Sequence, residues 1–373
     1  MAITWGKLSD QLIAQAKEKN VPIIGQFELT PRCNLHCKMC YICTPANDEI
    51  SMIRERTAAE WIQLAKDARD EGLLYLLLTG GEVFIREDFR EIYEAISTMG
   101  FCIEIYTNGT MITPEIAKWL GRIPPSKIGV TIYGAAPETY ERVCGDAGGF
   151  ESAVRGIDLL LEQGITVDMK TTVVRGNTKD FDKLTAFAER RRIEFGVVNY
   201  ITPRREGLYT DPVSERLSPL EMAEYECHVE RYFEMKASKL LGKSEFEKCS
   251  IDKENRINLI NNNENSPFYC AAGKCAFWVN WDGRMTPCGM IDKLVSFPFE
   301  NGFSAAWKEI QNLCATVNVC EACSRCDIKD YCLACPASLE CETGVFDKPA
   351  PYLCERAKQK VILEKDNKRA ISI

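Results

Sequence analysis

Between Ile23 and Ile201 the chain alternates strand-like and helix-like stretches six times, and this rhythm restricts the fold more than any other feature. The strand-like stretches are short and rich in Ile, Val, Leu and Tyr: Ile23–Leu29, Leu73–Leu78, Phe101–Tyr106, Lys127–Ile132, Ile165–Val174 and Glu194–Ile201. Helical patterns separate them at about Thr57–Glu71, Asp88–Met99, from Pro114, Phe150–Gln163 and Lys179–Arg191. Thr57 with Glu60 three residues on reads as a capping box. Such alternation puts parallel strands in one sheet with helices outside, an α/β fold. Six units predict a partial (β/α)6 barrel rather than a closed eight-unit one, with a doubly wound sheet as the alternative. In either case reactive groups belong at the C-terminal ends of the strands.

The first strand runs into Pro31-Arg32-Cys33-Asn34-Leu35-His36-Cys37-Lys38-Met39-Cys40-Tyr41, with three thiols at spacing C-x3-C-x2-C. A closed structural site takes four ligands, whether for zinc or for an iron–sulfur cluster. Three thiols on one loop can hold three irons of a four-iron cluster and leave the fourth open to a small chelator carrying an amine and a carboxylate. The spacing, with an aromatic directly after the last Cys, resembles the signature of the radical S-adenosylmethionine enzymes; a zinc site is the alternative for these thiols. The resemblance implies that Cys33, Cys37 and Cys40 anchor a 4Fe-4S cluster that binds S-adenosylmethionine. In that family an electron, from a flavodoxin- or ferredoxin-type donor, cleaves the sulfonium to methionine and a 5′-deoxyadenosyl radical, which takes a hydrogen atom from substrate.

Later strand ends carry further candidates. Gly80-Gly81-Glu82 follows the second strand, and glycines there let a bound group approach the backbone closely. The bland reading is a Gly-Gly turn with a solvated Glu. The motif resembles the family's Gly-Gly-Glu, which binds the methionine amino group, and it lies one β–α unit after the cysteine loop, as in the family. Thr107-Asn108-Gly109 ends the third strand; Asn-Gly is a common turn pair, and the resemblance assigns Asn108 to the cofactor. Thr131, near the end of the fourth, matches a position where the family places a hydroxyl by the cofactor, although Thr is favoured in strands anyway.

At 373 residues the chain has room for two to three domains, and its 46% hydrophobic and 27% charged residues are ordinary for a globular protein. A net charge of −8 with no basic stretch argues against a nucleic-acid partner. The longest apolar run, Leu73–Leu78, is too short to span a bilayer. The N-terminus lacks the basic-then-apolar order of a signal peptide, so the expected location is cytoplasmic. Nineteen cysteines, an odd number in a long chain, fit metal ligation in a reducing compartment better than disulfides.

Eleven of the nineteen make up two groups by spacing, one running from Cys33 to Cys40 and one drawn from the stretch between Cys270 and Cys354. The second group runs Cys270-x4-Cys275-x12-Cys288, then Cys323-x2-Cys326-x5-Cys332-x2-Cys335, then Cys354. This resembles a SPASM domain, which holds two auxiliary 4Fe-4S clusters. Carried over by position, Cys270, Cys275, Cys288 and Cys335 hold one, and Cys323, Cys326, Cys332 and Cys354 the other, which makes three clusters in all with the catalytic one. The family usually shows x3 before the residue matching Cys335, so Cys341 is a rival ligand, Cys320 could displace Cys323, and a zinc ribbon is the alternative at Cys323–Cys326. Cys43, Cys102, Cys144, Cys227, Cys249, Cys314, Cys320 and Cys341 are left over, mostly as small buried hydrophobes. Only two histidines exist, and His36 reads as a loop residue rather than a ligand.

The expected organisation is therefore a lead-in helix over residues 1–22, a partial barrel over 23–202, a linker and helical bridge over 203–268, and a small cysteine-rich α+β domain over 269–373. Within the last two, Pro219–Leu241 reads as a helix, Asn261–Pro267 as a polar connector, Phe277–Thr286 as a hairpin turning at Asp282-Gly283, and Ser304–Leu313 as a helix. The resemblance implies an oxidoreductase or maturase acting on a peptide or protein. The favoured reaction is a thioether or carbon–carbon crosslink in a ribosomally made peptide. Alternatives are a sulfatase-type maturase oxidising Ser or Cys, a peptide epimerase, a small-molecule dehydrogenase and, from another class, a non-catalytic iron–sulfur electron carrier. About 22 residues before the first strand leave no room for a leader-binding domain, so leader recognition is expected to need a separate protein or another surface.

Overall fold

The computed structural model describes residues 5–202, 211–241, 267–332 and 334–371. Residues 261–266 of the polar connector, most of the linker at 203–217, and Cys249 lie outside the described residues. Two compact units emerge, Met1–Arg216 with Ala271–Cys314, and Leu217–Cys270 with Ala315–Ile373. These cut the chain elsewhere than the boundaries expected at 202 and 269.

In the first unit, helix α1 (Trp5–Lys19) precedes strand β1 (Ile24–Glu28). The cysteine segment carries two short strands, β2 (Arg32–Cys33) and β3 (Thr44–Pro45), and then α2 (Glu49–Arg54). There follow α3 (Ala58–Asp70), β4 (Tyr75–Thr79), α4 (Phe89–Ser97), β5 (Cys102–Thr107), α5 (Pro114–Arg122) and β6 (Lys127–Thr131). Helices α6 (Pro137–Cys144) and α7 (Gly149–Glu162), β7 (Val167–Thr172), α8 (Phe181–Arg191) and β8 (Glu194–Val198) complete the alternation. All six expected strands form, and each pairs in parallel with the next in sequence, β1 with β4 through to β7 with β8. The order never reverses, which is the winding of a partial barrel; a doubly wound sheet needs a switch point, so that alternative fails.

Local chemistry explains the element ends. Thr57 Oγ1 accepts from Glu60 N while Glu60 Oε2 accepts from Thr57 N at 2.8 Å, the expected capping box. Thr113 caps α5, whose first residue is Pro114, where a missing N–H costs nothing. Ala58, Trp61, Leu64, Ala65 and Ala68 form the buried stripe of α3.

The strands are two-faced. On β1, Phe27 points to the helices and packs on Trp61, with ring centroids 5.1 Å apart. The other face of the sheet is polar, with Glu28, Glu104, Tyr106, Lys127, Asp168 and Lys170 along it. There Lys127 Nζ lies 2.7 Å from Asp168 and 3.5 Å from Glu104. A parallel sheet covered on both faces carries near-continuous apolar strands; these alternating strands match a barrel whose inner face serves chemistry.

The Asp282-Gly283 hairpin forms as β9 (Ala276–Val279) and β10 (Met285–Thr286), paired antiparallel. It is not a separate small sheet, because β9 pairs in parallel with β1 and extends the barrel's own sheet. Phe277 then packs on Phe27 and on Phe303 of the helix Phe303–Ala315.

In the second unit α9 (Pro219–Leu241) packs along the helix Pro351–Ile371. Lys360 Nζ meets Glu230 at 2.6 Å, and Tyr352 donates to Leu217 O at 3.1 Å. Among the described residues no helix is long and apolar enough to cross a membrane.

Candidate active site at the strand ends

The cysteine loop hangs from the C-terminal end of β1 and is tied at its neck, where Arg32 and Cys33 pair in register with Thr44 and Pro45. Inside it, Cys40 N donates to Cys37 O and the Cys43 thiol donates to Leu35 O at 3.1 Å. The loop also caps α6. His36 N and Lys38 N donate to Cys144 O and Val143 O, carbonyls that a helix end otherwise leaves unpaired. His36 itself is exposed, in keeping with a loop residue.

Cys33 and Cys40 both lie within electrostatic reach of Cys37. Two of the surplus cysteines join them, both buried. The Cys144 thiol hydrogen-bonds Cys37, and the Cys43 thiol contacts Cys33 and Cys40. Contact with Cys144, then burial, holds the Cys37 thiol well above its ordinary pKa, whereas contact with Cys43 pulls Cys40 down. Leu35 N and Asn108 Nδ2 point at the Cys33 sulfur, at 3.4 and 3.6 Å. N–H donors around a sulfur suit a ligating thiolate, so the donor set fits a cluster.

Gly80 and Gly81 bring the next strand end against this loop. Gly81 N donates to Thr30 O at 2.8 Å and Glu82 N to Arg32 O at 2.9 Å. A Cβ on Gly80 would sit 2.5 Å from Thr30 O and one on Gly81 2.4 Å from Arg32 O, so only glycine permits the approach. Glu82 is fully buried. Its carboxylate accepts from Thr107 Oγ1 and Asn108 N at 2.8 Å and from Phe84 N at 3.2 Å. Burial nonetheless pushes it up to about 7 against those hydrogen bonds. Asn108 in turn donates to Asn34 Oδ1 at 2.9 Å, and its Oδ1 accepts from Thr110 N. The cysteine loop, Gly80–Glu82 and Asn108 are thus one hydrogen-bonded body. Thr131 stands apart from it, half-buried at the end of β6 and opposite Lys170.

Sequence reasoning missed the scaffold beneath. Glu55 is buried between Arg32 and Arg86 and also accepts from Thr30 Oγ1 at 2.5 Å. Arg86 Nη1 donates to Leu29 O at 2.8 Å, and its other nitrogens reach Asp88. Asn177, also missed, accepts from Val174 N and donates to Tyr133 O and Thr172 O, all at 2.9 Å, joining the ends of β6 and β7.

In the second unit the folded chain gathers Cys320, Cys323, Cys326, Cys332 and Cys354. The Cys320 and Cys323 sulfurs are 2.9 Å apart, and burial with that contact pushes the Cys323 thiol up to about 12. Burial raises the Tyr269 hydroxyl, and the charges of Cys335 and Cys270 beside it raise it further. Cys335 caps the helix Pro336–Thr343, which carries Cys341. In the first unit Cys275 is buried just before β9, and Cys288 follows β10 half-buried. Among the described residues no three His, Cys, Asp or Glu side chains converge to hold one metal ion.

Residues 27–188 match the model of the Radical SAM superfamily. The chain is 28% identical over 358 residues to the AdoMet-dependent heme synthase of Methanosarcina barkeri, covering 91% of this chain and 99% of that protein. It is 27% identical to the PqqA peptide cyclase of Rhizobium meliloti, over 77% of this chain and 74% of that one. The fold matches Streptococcus suis SuiB bound to S-adenosylmethionine with a TM-score of 0.67 at 16% identity, over 93% of this chain and 81% of SuiB. SuiB has also been crystallised with its precursor peptide SuiA.

Proposed function

From the radical SAM domain that the chain carries across residues 27–188, we propose an oxidoreductase that removes a hydrogen atom from a peptide and closes a thioether or carbon–carbon crosslink. The observation that carries this reading is the one hydrogen-bonded body of Cys33, Gly80–Glu82 and Asn108 at adjacent strand ends above a polar inner face. Relatives that act on peptides support the choice of substrate.

In this reading Cys33, Cys37 and Cys40 hold three irons of the catalytic cluster. Gly80, Gly81, Glu82, Asn108 and Thr131 line the place of S-adenosylmethionine. When bound, cluster and cofactor together supply hydrogen-atom abstraction. The chain's own work is positional. Glu55 and its two arginines fix the neck of the loop, and the C-terminal end of α6 fixes its far side. Cys270, Cys275, Cys288 and Cys335 ligate one auxiliary cluster, and Cys323, Cys326, Cys332 and Cys354 the other. A flavodoxin- or ferredoxin-type protein delivers electrons.

A second reading has a specific observation in its favour. The alignment with the heme synthase spans 99% of that protein, further than the peptide cyclase alignment reaches. On that reading the substrate is a tetrapyrrole.

The test is anaerobic reconstitution with S-adenosylmethionine and dithionite, with 5′-deoxyadenosine measured alone, with a precursor peptide, and with an iron porphyrin. Peptide-stimulated release with a mass loss of two hydrogens per crosslink supports the first reading. Stimulation by the porphyrin alone supports the second. Replacing Cys33, Cys37 and Cys40 with Ala abolishes release while the auxiliary iron stays; release from that variant would overturn the site assignment.

A further inference from the structure

Arg356 is an unusual arginine for its place. It follows Cys354 by two residues on the helix Pro351–Ile371 and is 1% exposed. Its Nη1 donates to Glu226 Oε1 at 3.0 Å, a carboxylate that is itself buried. Its Nε–H and Nη2 hydrogens have no hydrogen-bond partner among the described residues. Leaving charged donors buried and unmade costs more than an ordinary lost hydrogen bond, so such groups in a folded protein call for an acceptor. One carboxylate cannot satisfy the guanidinium fork, which presents five donors in a fixed plane.

Besides Glu226, Arg356 acts on cysteine sulfurs. Its charge acts on Cys332, which lies beside Cys326 and Cys354. Cys323 lies beside Cys332 and Cys354, and Cys320 touches Cys323. The Cys332 sulfur lies 4.0 Å from Leu353 O, one helical turn before Arg356 on the same helix, so the orphan donors and the thiols share one side of that helix. Four thiolates around an iron–sulfur core carry net negative charge, which grows by one on reduction. A buried cation with two free N–H groups favours the more negative state.

Resting on the auxiliary-cluster reading given above, we propose that Arg356 donates through Nε and Nη2 to the sulfurs of a cluster held by Cys323, Cys326, Cys332 and Cys354, and so raises its reduction potential. Glu226 opposes it, since its carboxylate offsets part of the arginine's charge. Arg356 is a positioning and tuning residue, not a ligand.

The experiment uses the full chain with Cys33, Cys37 and Cys40 replaced by Ala, so that only auxiliary clusters load. Iron and acid-labile sulfide are counted, and midpoint potentials are read by electron paramagnetic resonance during redox titration. The relevant signal is the one that Cys332→Ala removes. About eight irons per chain are expected, two four-iron clusters; none would overturn the auxiliary-cluster reading itself, whatever Arg356 does. With iron bound, Arg356→Gln lowers the reduced-to-oxidised ratio at fixed potential about tenfold, a shift of about 59 mV for one electron. Arg356→Lys, which keeps the charge without the fork, shifts it less, and Glu226→Gln shifts it the other way. Loss of about four irons from Arg356→Gln with an unchanged circular dichroism spectrum also supports the assignment. Full iron content with one potential shared by the wild type and the Gln and Lys variants overturns it.

Discussion

The Arg32 guanidinium lies in bidentate contact with the Glu55 carboxylate, Nε to Oε1 at 2.7 Å and Nη2 to Oε2 at 3.0 Å. The pair joins the neck of the cysteine loop to the end of α2, and Arg86 adds the segment after Gly80–Glu82 at 3.3 Å. Removing one partner of a buried ion pair strands the other, at about 3–5 kcal/mol. Glu55→Ala is expected to lose stability in that range by urea denaturation and to load less iron at the loop. Unchanged stability would mean that the network does not hold the loop.

Gly81→Ala tests the close approach of the two strand ends. Its Cβ would meet main-chain atoms, Arg32 O at 2.4 Å and Pro31 O at 2.7 Å, which cannot swing away. Overpacking of this kind costs about 1–3 kcal/mol. The expected result is a lowered melting temperature with weaker S-adenosylmethionine binding by equilibrium dialysis. Gly196→Ala, with no atom within 4 Å of the added Cβ and, like Gly81, no positive φ, controls for the effect of the methyl group alone.

Glu82 makes stability depend on pH. Burial raises its pKa from 4.5 to about 7, so the folded chain holds the proton more tightly than the unfolded chain. Its stabilising contribution is complete below about 4.5 and is lost as pH rises through about 7. The stability difference between wild type and Glu82→Gln is expected to fall by about 3 kcal/mol across that window. A difference that stays flat from acid to neutral pH would show that the carboxyl titrates alike in the folded and unfolded chain.

Asn177 is expected to reject a charge. Its amide donates to two carbonyls, Tyr133 O and Thr172 O, at 2.9 Å. Asn177→Ala loses three hydrogen bonds, worth about 1 kcal/mol each. Asn177→Asp turns the donor into an acceptor facing two acceptors, so it is expected to be less stable than the Ala variant at neutral pH. The deficit shrinks in acid, where the carboxyl regains a proton. Denaturation at both values of pH decides it.

The parts of this molecule that were legible in the sequence are those written locally. The six strands follow from short β-rich runs between helical periods, and Thr57 with Glu60 announces a helix start within four residues. Cys33, Gly80 and Asn108 were readable because each ends a strand, and a parallel sheet brings such ends together. What escaped was written at a distance. Glu55 is 23 residues from Arg32 and 31 from Arg86, and nothing in either neighbourhood marks an ion pair. The helix α6 is only eight residues long, yet its last carbonyls hold the loop through His36 and Lys38. The hairpin at Asp282-Gly283 was visible as a hairpin, but its attachment to β1 depends on a register no local pattern encodes.

That attachment fixes the order in which the molecule can be completed. The strand that bears the cysteine loop emerges early from the ribosome, while the neighbour on its open side, Ala276–Val279, is made some 250 residues later. Until then an apolar strand edge stays unsatisfied, the condition under which nascent sheets join their neighbours instead. A gene shortened after β8 would make that condition permanent, so the barrel is expected to go insoluble when expressed without the residues that close it.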